Sequence, residues 1–156
     1  MAEIQIITIM SERKPKNIFH QGAILPTFIA ESIQKHSTQT AIGGHSIFLG
    51  QVRADETGKG KVRAIEFTSF EDMAIEKMYL IRESIFAKYP LTCMHVHHSL
   101  GEVKAGEICL FVFTSSAHRK AAMEACNETV ERLKAELPIW GREIMEDDSH
   151  HWKINN

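Results

Sequence analysis

The chain contains no run of roughly 18 apolar residues, the length a membrane-spanning helix needs, and so is expected neither to cross nor to anchor in a membrane. Cysteine is scarce. Cys93, Cys109 and Cys126 are an odd number, widely spaced and set among apolar neighbours, which suits reduced core thiols in a cytoplasmic protein rather than a disulfide framework. Charge of one sign is lacking too: 18 Lys and Arg against 20 Asp and Glu leave a formal charge of −2 with no basic stripe, which argues against nucleic acid as a partner. There is no internal repeat, low-complexity tract, serine nucleophile elbow, Walker loop, dinucleotide fingerprint or paired-cysteine metal motif. The opening MAEIQIITIMSERKPK carries Glu3 where a signal peptide needs positive charge, and it lacks a small-residue cleavage site.

What is present is ordinary globular material. With 156 residues, 44% hydrophobic and 24% charged, the chain fits one domain over 1–156 that needs no disulfide or metal staple. Residues 4–9 (IQIITI) read as a short strand, and 11–22, with Pro15 and Gly22, as a polar loop. A helix starts near Pro26, a residue suited to the first turn, and fades by Ser37. Residues 41–53 (AIGGHSIFLGQVR) and 62–70 (VRAIEFTSF) read as strands, joined by a mobile tip at 54–61 (ADETGKGK). Ala74, Met78, Ile81 and Ile85 recur at helical spacing over 71–88, a helix ended by Pro90.

Two strands, 91–99 and 107–115, are separated by a turn from Gly101 to Gly106, and the second is apolar enough to be covered on both faces. A long helix over about 118–136 puts Ala122, Cys126, Val130 and Leu133 on one stripe. Pro138 stops it, IWGREIM reads as a last strand, and an acidic, histidine-containing tail follows. The order is α+β: a mixed sheet packed by helices.

Three features carry candidate chemistry. At TSSAHRK (114–120) a buried strand delivers Ser115 and Ser116 to a helix start, where a hydroxyl can cap free N–H groups, and His118, Arg119 and Lys120 follow. Cations at a helix N-terminus oppose the helix dipole, so the pattern suits a bound anion such as phosphate; it equally suits a capped surface helix whose cations point to water. Lys134, in ERLKAELPIW, sits beside the apolar stripe near the junction with the last strand, where desolvation or a neighbour such as Arg142 would make it a usable acid, base or nucleophile. A snorkelling surface lysine is the alternative. Arg53 ends a strand beside the lysine-bearing tip, placed either to clamp an anion or to pair with Asp55 or Glu56.

Among the histidines, Cys93, His95 and His97 share one strand face. They match no strong zinc signature, and with no fourth ligand in the set ordinary packing of hydrogen-bonded imidazoles is the better account of them. Cys109, inside a buried strand, and Cys126, mid-helix, make poor nucleophiles.

In this order and spacing, IFLGQVR (47–53), TSSAHR (114–119), ERLKAELPIW (131–140) and the closing tryptophan of HHWK resemble the large, catalytic subunit of molybdopterin synthase, over about Gly43 to Trp152. The resemblance implies an α/β hammerhead-like fold with an additional small antiparallel sheet. It also implies a sulfurtransferase that converts cyclic pyranopterin monophosphate to molybdopterin in molybdenum cofactor biosynthesis. Two sulfurs come from the C-terminal Gly-Gly thiocarboxylate of a small ubiquitin-like carrier, which threads into a pocket. The implied assembly is a central homodimer of large subunits with a carrier at each end, a heterotetramer, with no permanently bound cofactor and no metal.

Carried over by position, the essential lysine falls on Lys134. Anion-binding residues fall on His118 and Arg119, the strand-end arginine on Arg53 with Gln51 and Val52 beside it, and the pocket aromatic on Phe48. Many members have a second lysine after the Pro-x-Trp element; this chain has Gly141, then Arg142 and Glu143, with Arg142 placed to take over the charge beside Lys134. The phosphate of the substrate suits His118, Arg119 and Arg53, and an amine at Lys134 suits proton transfer and charge stabilisation as sulfur moves. The alternatives are a non-enzymatic phosphate-ligand binder and a zinc module on His95 and His97.

Overall fold

The computed structural model describes residues 15–154, so the strand read at 4–9 lies outside the described residues. The elements, in order, are β1 (Phe19–Gln21), α1 (Pro26–Lys35), β2 (Gly44–Gln51), β3 (Glu56–Thr57), β4 (Gly60–Ser69), α2 (Glu71–Lys88), β5 (Leu91–Lys104), β6 (Ile108–Ser116), α3 (Arg119–Glu136), β7 (Ile139–Met145) and β8 (His150–Trp152). The strands run β2-β6-β5-β4-β7-β8 with antiparallel neighbours, β1 joins β5 in parallel and β3 pairs with β4. This is the mixed α+β arrangement the element order implied, with β4, β7 and β8 forming the smaller antiparallel part.

Three helices meet the sheet for reasons visible in their sequences. Helix α2 buries Ala74, Met78, Ile81 and Ile85, the stripe expected of it, while Glu71 and Asp72 place negative charge in its first turn, where the dipole favours it. Helix α3 buries Ala122, Ala125, Cys126, Thr129, Val130 and Leu133. These two stripes close over Met94, Val96, Leu110 and Val112 to form the main core. The other face of β6 offers Phe111 and Phe113 to Ile24 and Ile29 around α1. Strand β6 is therefore covered on both sides, which explains its unbroken apolar run. A further core of Val52, Val62, Ile65, Val103 and Met145 fills the smaller part.

Four local expectations change. Residues 19–21, read as part of a loop, form β1, whose backbone finds partners on His98, Ser99 and Leu100. The tip at 54–61 folds as a short hairpin, with Glu56 facing Lys61 and Thr57 facing Gly60. The turn placed from Gly101 is a bend inside β5. Leu91–His98 pairs with β6 and Gly101–Lys104 with β4, and the change of partner falls at Gly101, whose φ of +79° is a conformation open to glycine. The tail supplies β8, which pairs Trp152 with Arg142 and His150 with Ile144.

Candidate active site

Where α3 gives way to β7 the chain turns through Leu137 and Pro138, so Lys134 in the last helical turn comes to stand over the start of β7. A small pocket of about 100 Å³ lies here, its wall built by Lys134, Gly50 and Gln51 of β2, Cys109 of β6, His98 of β5 and Gly141 of β7. An irregularity in the β2–β6 pairing shapes it. Gly50 faces Leu110 but Gln51 faces Ile108, leaving Cys109 as the extra residue, and bulges of this kind re-aim side chains. The Cys109 thiol donates to the Gly50 carbonyl at 3.4 Å. Phe48 is half-buried against the main core, and its ring edge lies 3.5 Å from where a Cβ on Gly50 would stand.

The electrostatics of the wall are set by burial. Desolvation pushes the Cys109 thiol above its usual value of 9, although the Lys134 and Lys153 ammonium charges both pull it down. The thiol therefore stays protonated near neutrality and is no nucleophile. This conclusion agrees with the sequence reading but has a different cause, because the residue does line the pocket. His98 is buried, its imidazole lowered to about 4 by desolvation. Its Nδ1 lies 2.7 Å from the Ser99 carbonyl, which fixes the proton there and leaves Nε2 as an acceptor. Lys134 itself is exposed at the rim, the placement of the surface-lysine alternative.

The remaining anticipated residues are distributed differently. Val52 is buried in the smaller core. Arg53 projects outward, its side chain 76% exposed and 3.3 Å from Asp55, so the ion-pair reading of it holds. Glu143 faces Ile65 and His151 across its neighbouring strands. Arg142 does not line the pocket: its guanidinium donates to Glu66 at 2.6 Å on the facing strand, so the structure corrects the expectation that it supports Lys134 there.

His118 and Arg119 begin α3, fifteen residues before Lys134, or about 22 Å away at the α-helical rise. A single chain therefore does not unite the two ends of the helix in one cavity. Ser115 and Ser116 cap nothing. Ser115 Oγ lies 2.7 Å from His45 Nδ1, Ser116 donates to the Pro90 carbonyl, and His118 is the N-cap residue without a side-chain cap bond. The junction is packed against Gly43 and Gly44 at the start of β2: a Cβ on Gly43 would fall 2.1 Å from the Ala117 carbonyl oxygen. His118, Arg119 and Lys120 are exposed there, and Arg119 has no hydrogen-bond or ion-pair partner among the described residues.

His98 and Lys153, which line the pocket, were not among the anticipated site residues. His98 directly follows His97 and so lies on the opposite strand face from Cys93, His95 and His97, an alternation that was the available signal. Lys153 lay in a tail that gave no sign of returning to the site. On the opposite sheet face His36 joins Cys93 and His95, with ligand atoms within 4.8 Å of one another, whereas His97 pairs with His20 at 2.8 Å. His36 Nδ1 contacts the Ser32 carbonyl at 2.7 Å and its Nε2 meets His95 Nε2 at 3.1 Å, so the two imidazoles satisfy each other by hydrogen bonding. A larger cleft of about 450 Å³ lies between α2 and β5, away from Lys134.

Comparison with known proteins matches residues 26–136 to the model of a family described as MoaE protein. A molybdopterin synthase catalytic subunit of Pyrococcus abyssi is 34% identical over 115 residues, covering 74% of this chain and 76% of that protein. The Homo sapiens protein of that name is 38% identical over 113 residues, covering 72% and 59%, and that of Drosophila willistoni is 39% identical over 115 residues, covering 72% and 31%. The aligned part is thus most of one relative and about a third of another. Among solved structures, molybdopterin synthase from Staphylococcus aureus superposes with a TM-score of 0.78 at 27% identity, covering 92% of this chain and all of that one. A complex of subunits 1 and 2 of molybdopterin-converting factor from Helicobacter pylori gives 0.75 at 19% identity over 88% and 90%, a likeness of fold.

Proposed function

The chain belongs to the MoaE protein family, and from that membership we propose that it is the catalytic subunit of a molybdopterin synthase, converting cyclic pyranopterin monophosphate to molybdopterin with sulfur from a small carrier's C-terminal thiocarboxylate. The observation that carries the reading to particular atoms is the pocket over which Lys134 stands. About 100 Å³ is too small for a fused-ring phosphorylated substrate, since small-molecule sites run to roughly 300–1,000 Å³, but it suits the narrow end of a Gly-Gly tail. The tail's sulfur-bearing carbonyl would reach Lys134, whose amine donates to the oxyanion formed there, while Gln51 and the His98 acceptor hold its amide groups.

The anion-binding cations are provided for by the assembly. His118 and Arg119 stand about one helix length from Lys134 in the same chain, so we assign them to the phosphate of the site built on a second copy, in a homodimer flanked by two carriers. Their exposure and the unpaired guanidinium of Arg119 support this use. Phe48, Val52, Arg53 and Glu143 then support or border the composite site, with Arg53 free to leave Asp55 for a bound anion. The test is direct: purified protein, cyclic pyranopterin monophosphate and a thiocarboxylated carrier are expected to yield the dithiolene product. Absence of product with a carrier that binds would overturn the reading.

A further inference from the structure

Hydrolysing the acyl–sulfur bond to the carrier makes two anions at once. When the carrier's sulfur has bonded to the pterin, the carrier is held as a thioester. Water adds to the carbonyl, the C–S bond breaks, the carrier leaves as a carboxylate and the sulfur stays on the pterin as a thiolate, with two protons released. In a site partly closed to water, one ammonium meets one of these charges and leaves the other exposed to repulsion. Arg142 does not meet the second charge, being held by Glu66.

Lys153 follows β8, and its backbone N–H donates to the Gly141 carbonyl at 2.8 Å, which fixes it beside the position that lacks a side chain. A Cβ on Gly141 would lie 3.0 Å from Ile65 Cγ2 and 3.4 Å from the Phe67 ring, so a side chain there would need these β4 side chains to shift by a few tenths of an ångström. Lys153 lines the same pocket as Lys134, and the ammonium charges of both act on the Cys109 thiol. Among the described residues, no other lysine or arginine lines it.

We propose that Lys153 is a catalytic residue, the second amine of the sulfur-transfer pocket, supplied by the C-terminal hairpin across from Lys134. The proposal rests on the sulfur-transfer reading above. Lys134 and Lys153 then divide the work, one on the carbonyl oxyanion and its carboxylate product, the other on the departing thiolate.

The experiment compares Lys153→Gln, Lys153→Arg and the distant Lys77→Gln with wild type in the carrier assay, and follows peptide-resolved alkylation of Cys109 against pH in the same proteins. If wild type makes no product, the functional reading fails, and the alkylation arm still reports on Lys153. Given wild-type turnover, Lys153→Gln is expected to lower kcat roughly a hundredfold, Lys153→Arg to retain most of it, and Lys77→Gln to match wild type. Cys109 is expected to titrate at higher pH in Lys153→Gln than in wild type. Wild-type kcat in Lys153→Gln, or an unmoved Cys109 titration there, overturns the assignment.

Discussion

At the scale of single residues, the decisive contrast is between Lys134, Lys153 and Arg142. All three are cations near the α3–β7 junction, yet Arg142 projects to Glu66 on the neighbouring strand while the lysines line the pocket. Arg142→Ala should therefore leave product formation close to wild type and cost at most about 1 kcal/mol of stability, as partly exposed ion pairs do. Parallel turnover and denaturant-unfolding measurements check this, and a collapse of turnover would return Arg142 to the chemistry. The place of Lys134 at the pocket was legible because its motif is local: a lysine beside the buried Leu133 just before a helix stop. That of Lys153 was not, since its position depends on a hairpin that brings residue 153 to residue 141, a pairing no local pattern announces. Cys109 was misjudged in position, because a bulge opens its strand just where the apolar run looks continuous.

At the scale of elements, α1 and β1 close over paired imidazoles on β5. Burial lowers His95 and His97 to about 4 and lowers His20 as well. His36, Arg82 and Lys16 add positive charge against protonation of His95, and His20 and His95 do so for His97. In the unfolded chain these imidazoles take protons near 6.5. Between about pH 6.5 and 4 the unfolded state therefore binds more protons, so stability is full above that window and falls as pH drops through it. The urea midpoint is expected to decline already between pH 6.5 and 5, before carboxylates titrate, and a flat midpoint there would contradict the account. Helices α2 and α3 were readable from periodicity almost to the residue, because each packs one stripe on one sheet. The long bent β5 was not, since Gly101 signals a turn equally well and only the change of partner strand decides.

At the scale of the whole molecule, the family and the α+β class were open to reading, but the proposed division of the site between chains was not. Fifteen residues of helix separate Arg119 from Lys134, and sequence proximity of motifs says nothing about which copy supplies which end. A mixture of Lys134→Ala and Arg119→Ala chains, reassembled at random, should regain about a quarter of wild-type activity, since half the dimers are mixed and each mixed dimer holds one intact site. Failure of two separately inactive chains to complement would place both groups in one protomer's site.

The claim on which all of this turns is that the amine of Lys134 performs the chemistry and does not merely hold the carrier. The most direct measurement is single-turnover product formation by Lys134→Ala with saturating thiocarboxylated carrier, alongside the carrier's Kd. The account predicts a rate lowered by roughly 10²–10⁴, the range for loss of a positioned acid–base group, with Kd nearly unchanged. A wild-type rate, or a loss of rate that rises saturation restores, would contradict it.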